Sequence, residues 1–246
     1  MGSNGDAVKQ VDPSPVKAGL WEDFVDIFYA PSSVFARRSE GKFGLALLFL
    51  AIVGTVLFFL TKNAMQPIMD SEFTRQSAAA MRKNPSITAE QMSSGRGFFE
   101  MFAPLFFAVG ITVSVFGTGL VLWVVGKLFD AKESVAAAIM IATYAEFPRI
   151  VQVLTNAAQG LVMNPEKLNS MNAVGFNIAR FMDPDGGPLM IALAARVDLF
   201  TIWVTVLLAI GLHVVGKIPR RQAAIAAAIT WVVGALPAVF GALRAG

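Results

Sequence analysis

The stretch VAAAIMIATYAEFPRIVQVL, residues 135–154, decides how this chain is read. It is apolar for most of its length, yet Glu146, Pro148 and Arg149 place a carboxylate, a helix breaker and a guanidinium inside it. Ionisable groups within a membrane span are rare, and each raises a functional hypothesis beside the simpler one of pairing in a packed bundle. The rest of the chain shows that the membrane reading is the right frame.

Hydrophobic residues make up 55% of the sequence and charged residues only 15%. The mean hydropathy is +0.61. An apolar helix needs about 20 residues to cross a hydrocarbon core of about 30 Å. Five runs qualify: residues 43–61, 98–125, 135–154, 189–215 and 223–243. They are continuously apolar rather than alternating, which predicts helices and not a barrel. The expected fold class is therefore all-α: a polytopic membrane protein built as a bundle of about five transmembrane helices. No charged n-region with a short apolar stretch precedes the first run, so that span is expected to be retained.

The polar segments carry their own signals. Residues 1–19 read as a disordered lead, with Gly, Ser, Asp, Pro13 and Pro15. Between Leu20 and Tyr29, Trp21, Phe24, Val25 and Phe28 recur at helical spacing opposite Glu22, Asp23 and Asp26, and Pro31 ends the pattern. This predicts an N-terminal amphipathic helix lying at the membrane interface. The connection between the first two spans, about 36 residues, is too long for an idle loop. It predicts one or two short helices, Asp70 to Lys83 and a second opening at Thr88 with Gln91 in a capping box.

Lys and Arg set the orientation. Arg37, Arg38 and Lys42, then Lys127 and Lys132, then Lys217, Arg220 and Arg221 all fall on one side, which predicts a cytoplasmic amino terminus and an outside carboxyl terminus. Basic residues at membrane edges account for the pI near 9.3, and no nucleic-acid partner is implied. With no cysteine, disulfides and thiolate metal sites are excluded. One histidine, His213, builds no metal site alone and reads as interfacial. No cofactor is expected. The motifs GxSxG, HExxH and a phosphate loop are missing, so no enzyme is expected either.

Small-residue stripes, Gly110, Ser114 and Thr118 on span two and Ala226, Thr230 and Gly234 on span five, are candidates for close helix contact. Pro104 and Pro237 are candidate kinks. On an insertion scale span one comes out at about −6 kcal/mol, while span three, burdened by Glu146 and Arg149, comes out about neutral to positive. Span three should depend on its neighbours. At about 1.5 Å per residue, Glu146 and Arg149 lie roughly 18 and 22 Å above Ser134, and Asp198 and Arg196 roughly 27 to 30 Å above Gly216. A polar cluster of Glu146, Arg149, Arg196 and Asp198, with Glu100 at a similar level, follows as the candidate site. Pro148 also leaves the carbonyl of Tyr144 without its usual donor and open to Arg149 or water.

Three segments resemble a known family. Trp21-Glu-Asp-Phe-Val-Asp-Ile-Phe-Tyr-Ala-Pro31, continuing to Phe35, is similar to the segment that leads into the Yip membrane domain of the Ypt/Rab-interacting family, with Trp21, Phe28, Tyr29, Pro31 and Phe35 as its motif residues. Tyr144 to Pro148 resembles that family's third-span signature. Leu199 to Trp203 and Gly211 to Ala223 resemble its fourth span and following turn. The resemblance covers about residues 20–243 and implies a five-helix bundle with a cytoplasmic amino terminus. Eukaryotic members are associated with GTPase-linked vesicle traffic. Here Ile27-Phe-Tyr-Ala-Pro31 stands where they have Asp-Leu-Tyr-Gly-Pro, which leans toward the bacterial branch and its inner membrane and puts GTPase binding in question. The expected function is a non-enzymatic membrane scaffold or accessory protein, in membrane organisation, trafficking or assembly of a membrane complex. Its expected partners are the bilayer and other membrane proteins or further copies of itself. A small transporter or channel using the charged cluster is the alternative.

Overall fold

The computed structural model describes residues 19–245; the expected disordered lead falls outside them except for Gly19. Ten α-helices are described: α1 Leu20–Tyr29, α2 Pro31–Arg37, α3 Gly44–Lys83, α4 Ala89–Lys127, α5 Val135–Ala145, α6 Pro148–Val162, α7 Pro188–Arg196, α8 Leu199–Gly216, α9 Arg220–Val233 and α10 Leu236–Ala245. Among the described residues no strand forms, only an isolated antiparallel bridge between Asn177 and Asp198. Five stretches are long and apolar enough to cross a membrane: Gly44–Lys83, Ala89–Lys127, Val135–Val162, Leu199–Gly216 and Arg220–Arg244.

The centre of the bundle is α5. Every residue from Ala137 to Ala145 is buried, as expected of a helix apolar on all sides. It packs between α4 and α8, with α3 against α4 and α6, and α9 against α4 and α8. Close approach comes from glycine. A Cβ on Gly119 would lie 2.7 Å from the Ile139 Cα, and one on Gly211 would lie 2.4 Å from Ile141, so α4 and α8 meet α5 almost backbone to side chain. Gly110 and Ser114 of the expected stripe are exposed, whereas Ala226 and Thr230 of the other are buried. Two buried threonine hydroxyls inside the spans bond on their own helix: Thr143 donates to the Ile139 carbonyl at 2.8 Å and Thr230 to that of Ala226 at 2.9 Å.

Three expectations need correction. The helix expected at Asp70 is not separate: α3 runs 40 residues without interruption through Pro67, and the capping box at Thr88 opens the 39-residue α4 rather than a short connector. Each helix is about 60 Å long, twice a hydrocarbon core of about 30 Å. Together they form a hairpin that projects well past it. Span four is not one helix, because α7 ends at Arg196 and Asp198 starts α8 as its N-cap, accepting from the Thr201 N–H. Span five divides at Gly234 into α9 and α10, a break four residues or fewer before Pro237, where a proline interrupts the helix ladder. Pro104 lies inside an unbroken α4.

The loop after α6 lies on the projecting part of α3. Leu168 and Val174 bury Ile68 in a small apolar cluster with Met65 and Met163. Arg75 donates to the Asn169 carbonyl, and the Met171 N–H donates to Glu72 at 3.1 Å.

Candidate polar site within the bundle

Span three breaks where its sequence is polar. Glu146 closes α5 as its C-cap, Phe147 follows, and Pro148 starts α6, a position where a missing N–H costs nothing. The Tyr144 carbonyl is not left open, because the Phe147 N–H donates to it at 3.3 Å. The sequence argument located the missing donor but not the tightened turn that replaces it.

Arg149 leaves the first turn of α6 and reaches three helices. Its Nε lies 3.4 Å from Glu146 on α5, its Nη1 donates to Gln152 on α6 at 2.8 Å, and its Nη2 to Thr201 on α8 at 3.3 Å. Asp198 stands 4.0 Å away and is 4% exposed. Its Oδ1 accepts from the Thr201 N–H at 2.9 Å, from the Thr201 hydroxyl at 3.3 Å and from Gln152 at 3.4 Å. Glu146, Arg149 and Asp198 are thus brought together, with Gln152 and Thr201 as members the sequence reading missed. An Asp three residues before Thr201 at the start of an apolar run is a capping signal; placing Asp198 in mid-span hid it.

Arg196 sits apart from this network. Its Nη2 donates to the Trp231 carbonyl at 2.8 Å, and its guanidinium lies 5.7 Å from the centroid of the Trp231 ring. Glu100 takes its partner elsewhere. Arg96 donates to it at 2.7 Å, also bonds Asp70, and lies 4.9 Å over the Phe73 ring, making a separate ion network on the α3–α4 hairpin.

Two cavities flank the break. One of about 540 Å³ is walled by α3, α4 and α6, the other of about 440 Å³ by α4, α8 and α9, and both have Ser114, Glu146 and Arg149 in their walls. Both volumes fall in the range of small-molecule sites.

The segment ahead of α3 is built into the bundle. Asp23, fully buried on α1, accepts from Arg37 at 2.7 Å and from Arg38 at 2.5 Å; Arg37 also reaches Asp26 at 2.6 Å. Phe24 stacks on Phe49 at 4.0 Å and on Phe147 at 4.9 Å, which ties α1 to the break itself. Tyr144 stacks on Phe147 at 5.7 Å, and its hydroxyl faces Asp23 without a well-formed hydrogen bond. Phe28 meets Trp203 edge-on at 5.6 Å, Pro31 opens α2 and Phe35 is fully buried. Trp21 meets Phe24 and Phe49 edge-on at 5.6 and 5.4 Å yet stays 72% exposed, and Tyr29 is 84% exposed. The expected division of α1 into apolar and acidic faces is therefore mixed: the inner face carries Asp23, and the outer face carries Trp21, Val25 and Tyr29.

A third buried carboxylate lies just past the far end of α4. The Glu133 side chain is fully buried, tucked so closely against Gly126 and Gly216 that a Cβ on either would lie within 3 Å of it. Lys127 spends its ammonium on the carbonyls of Ala131 and Glu133, at 2.6 and 2.7 Å, and stays 3.9 Å from the carboxylate. Burial pushes the Glu133 carboxyl above the ordinary glutamate value, and Lys127 offsets only part of that.

Five apolar spans, one of them broken around an internally paired polar centre, define a polytopic helical integral membrane protein. Residues 25–241 match the Yip1 domain, and the chain belongs to that family. No curated protein and no solved structure matches the chain.

Proposed function

We propose that the protein is a non-enzymatic membrane scaffold or accessory component, organising a membrane complex from the bacterial inner membrane with its amino terminus in the cytoplasm. One observation carries this reading: the charged groups at the broken third span are used to hold helices to one another. Arg149 alone links α5, α6 and α8, while Asp23, Arg37 and Arg38 fix α1 against the bundle. A rigid α1 then presents Trp21, Val25 and Tyr29 outward, an aromatic face suited to a neighbouring membrane protein. Basic residues at the Lys127, Lys132 and Lys217 end support the orientation.

A photo-reactive amino acid placed at Tyr29 or Trp21 tests this in native membranes. Discrete crosslinked bands containing a second protein are expected from both positions. Adducts with lipid alone from both positions overturn the scaffold role of this face.

A transporter or channel is the second reading, favoured by the two cavities that meet at Glu146 and Arg149. Solute flux into vesicles that disappears in Glu146→Gln, with the fold retained, would establish it.

A further inference from the structure

We propose that the cavity between α4, α8 and α9 holds one anionic phospholipid, its phosphate at Arg196 and Trp231 and an acyl chain between α4 and α8. Two buried donors lie in its wall residues. Arg196 Nε and Trp231 Nε1 are both inaccessible and have no acceptor, and both residues line this cavity. Buried donors without acceptors are uncommon and destabilising when left so. Two of them, on neighbouring side chains of one cavity wall, call for a group rich in acceptors nearby.

Charge points the same way. The described residues on the wall include Glu146, Arg149 and Arg196. Glu146 and Arg149 face each other, which leaves the Arg196 cation without a carboxylate partner. Its position is fixed, because Gly234 makes room for it: a Cβ there would lie 2.8 Å from Arg196 Nη2. A guanidinium so placed matches a phosphate through charge-assisted hydrogen bonds.

The cavity gathers its charged groups at one end, and farther along Thr118 and Thr205 interrupt a mostly apolar wall. From Arg196 it passes Thr201 and then Val204 and Leu208 on α8, with Val121 opposite on α4. From Thr201 to Leu208 the helix rises about 10 Å, and the walls turn apolar along it. Free phosphate gains nothing from that lower half, whereas an acyl chain fills it. The volume of about 440 Å³ is also far larger than a phosphate ion requires.

The full chain, purified in a maltoside detergent and stripped of lipid, provides the test. Native mass spectrometry with added phosphatidylglycerol should show one lipid retained, and phosphatidylcholine should be retained at least about tenfold less. Arg196→Gln should abolish the preference. Trp231→Phe, which removes one N–H and keeps the ring, should weaken it several-fold, and Val121→Phe should block the lower half. Equal retention of the two lipids, or a preference that survives Arg196→Gln, overturns the proposal. If Arg196→Gln fails to fold, unchanged retention in both Trp231→Phe and Val121→Phe, each with a wild-type circular dichroism spectrum, overturns it. Inorganic phosphate serves as the source control. It should neither displace the lipid nor raise the melting temperature, and protection equal to that of the lipid overturns a lipid occupant.

Discussion

Asp198 caps α8 through the same oxygen that faces Gln152 and Arg149. Asp198→Ala therefore removes a cap, worth about 1 kcal/mol, and strips the buried partners of an acceptor; a total loss of about 2 kcal/mol is expected in detergent unfolding. Asp198→Asn keeps the cap and should recover about half of it. Exchanging Glu146 and Arg149 separates simple pairing from a wider network. Because Arg149 also bonds Thr201 and Gln152 and faces Asp198, the double exchange should insert into the membrane yet stay destabilised; full restoration would reduce the network to one pair. At Glu133 the sign of the pH response follows from the raised carboxyl. The folded chain holds that proton more tightly than the unfolded chain, so its stabilising contribution is complete below the ordinary value of about 4.5 and is lost as pH rises through the higher folded value. Glu133→Gln should flatten this part of the stability profile, and an unchanged slope would show that another group is responsible. At this scale the sequence made Glu146, Arg149 and Asp198 legible as misfits among apolar neighbours. Arg196 shares a cavity wall with Glu146 and Arg149 without bonding to either, and Glu100 pairs elsewhere, because depth along a helix says nothing about which face a side chain occupies.

Glycines two positions apart on α4 give opposite expectations. Gly119→Leu forces a side chain onto the Ile139 backbone and should cost about 3 kcal/mol or more. Gly117 has nothing within 4 Å of its Cβ position, so Gly117→Ala should stay within about 0.5 kcal/mol of wild type. Melting of both variants in one detergent checks the pair, and similar effects would contradict the packing of α4 on α5. Hydropathy revealed the five spans because each carries a long apolar run. It did not reveal that α7 and α8 are separate, since no proline or glycine marks Val197. There the division is set by the Asp198 cap and by the bridge to Asn177, a contact 21 residues away in the chain. Pro67, by contrast, does not divide α3. One missing N–H in a helix of 40 residues is absorbed when the turns on both sides are held.

For the molecule as a whole, the fold class and family were legible because composition and the order of loose motifs are properties of the entire chain. The height of the α3–α4 hairpin was not, because polar residues at its tip look the same in a helix and in a loop. Two consequences are measurable in intact vesicles. Single cysteines at Ser86, near the tip, and at Lys132 should label from opposite faces; labelling from the same face would sink the five-span topology. Trypsin added on the hairpin side should cut at Arg82 or Lys83 before any other site, and protection there would mean that the tip is covered.

The bond from Arg149 to Thr201 joins residues 52 apart in sequence, and that separation is also a delay. A ribosome adding about 5 to 20 residues per second makes Thr201 some 3 to 10 s after Arg149. During that interval the third span has emerged with its guanidinium and carboxylate lacking their later partners and only two earlier spans to lean on. Biogenesis of this protein therefore contains a waiting step, in which the insertion machinery shelters an unfinished helix until the segment that completes it arrives.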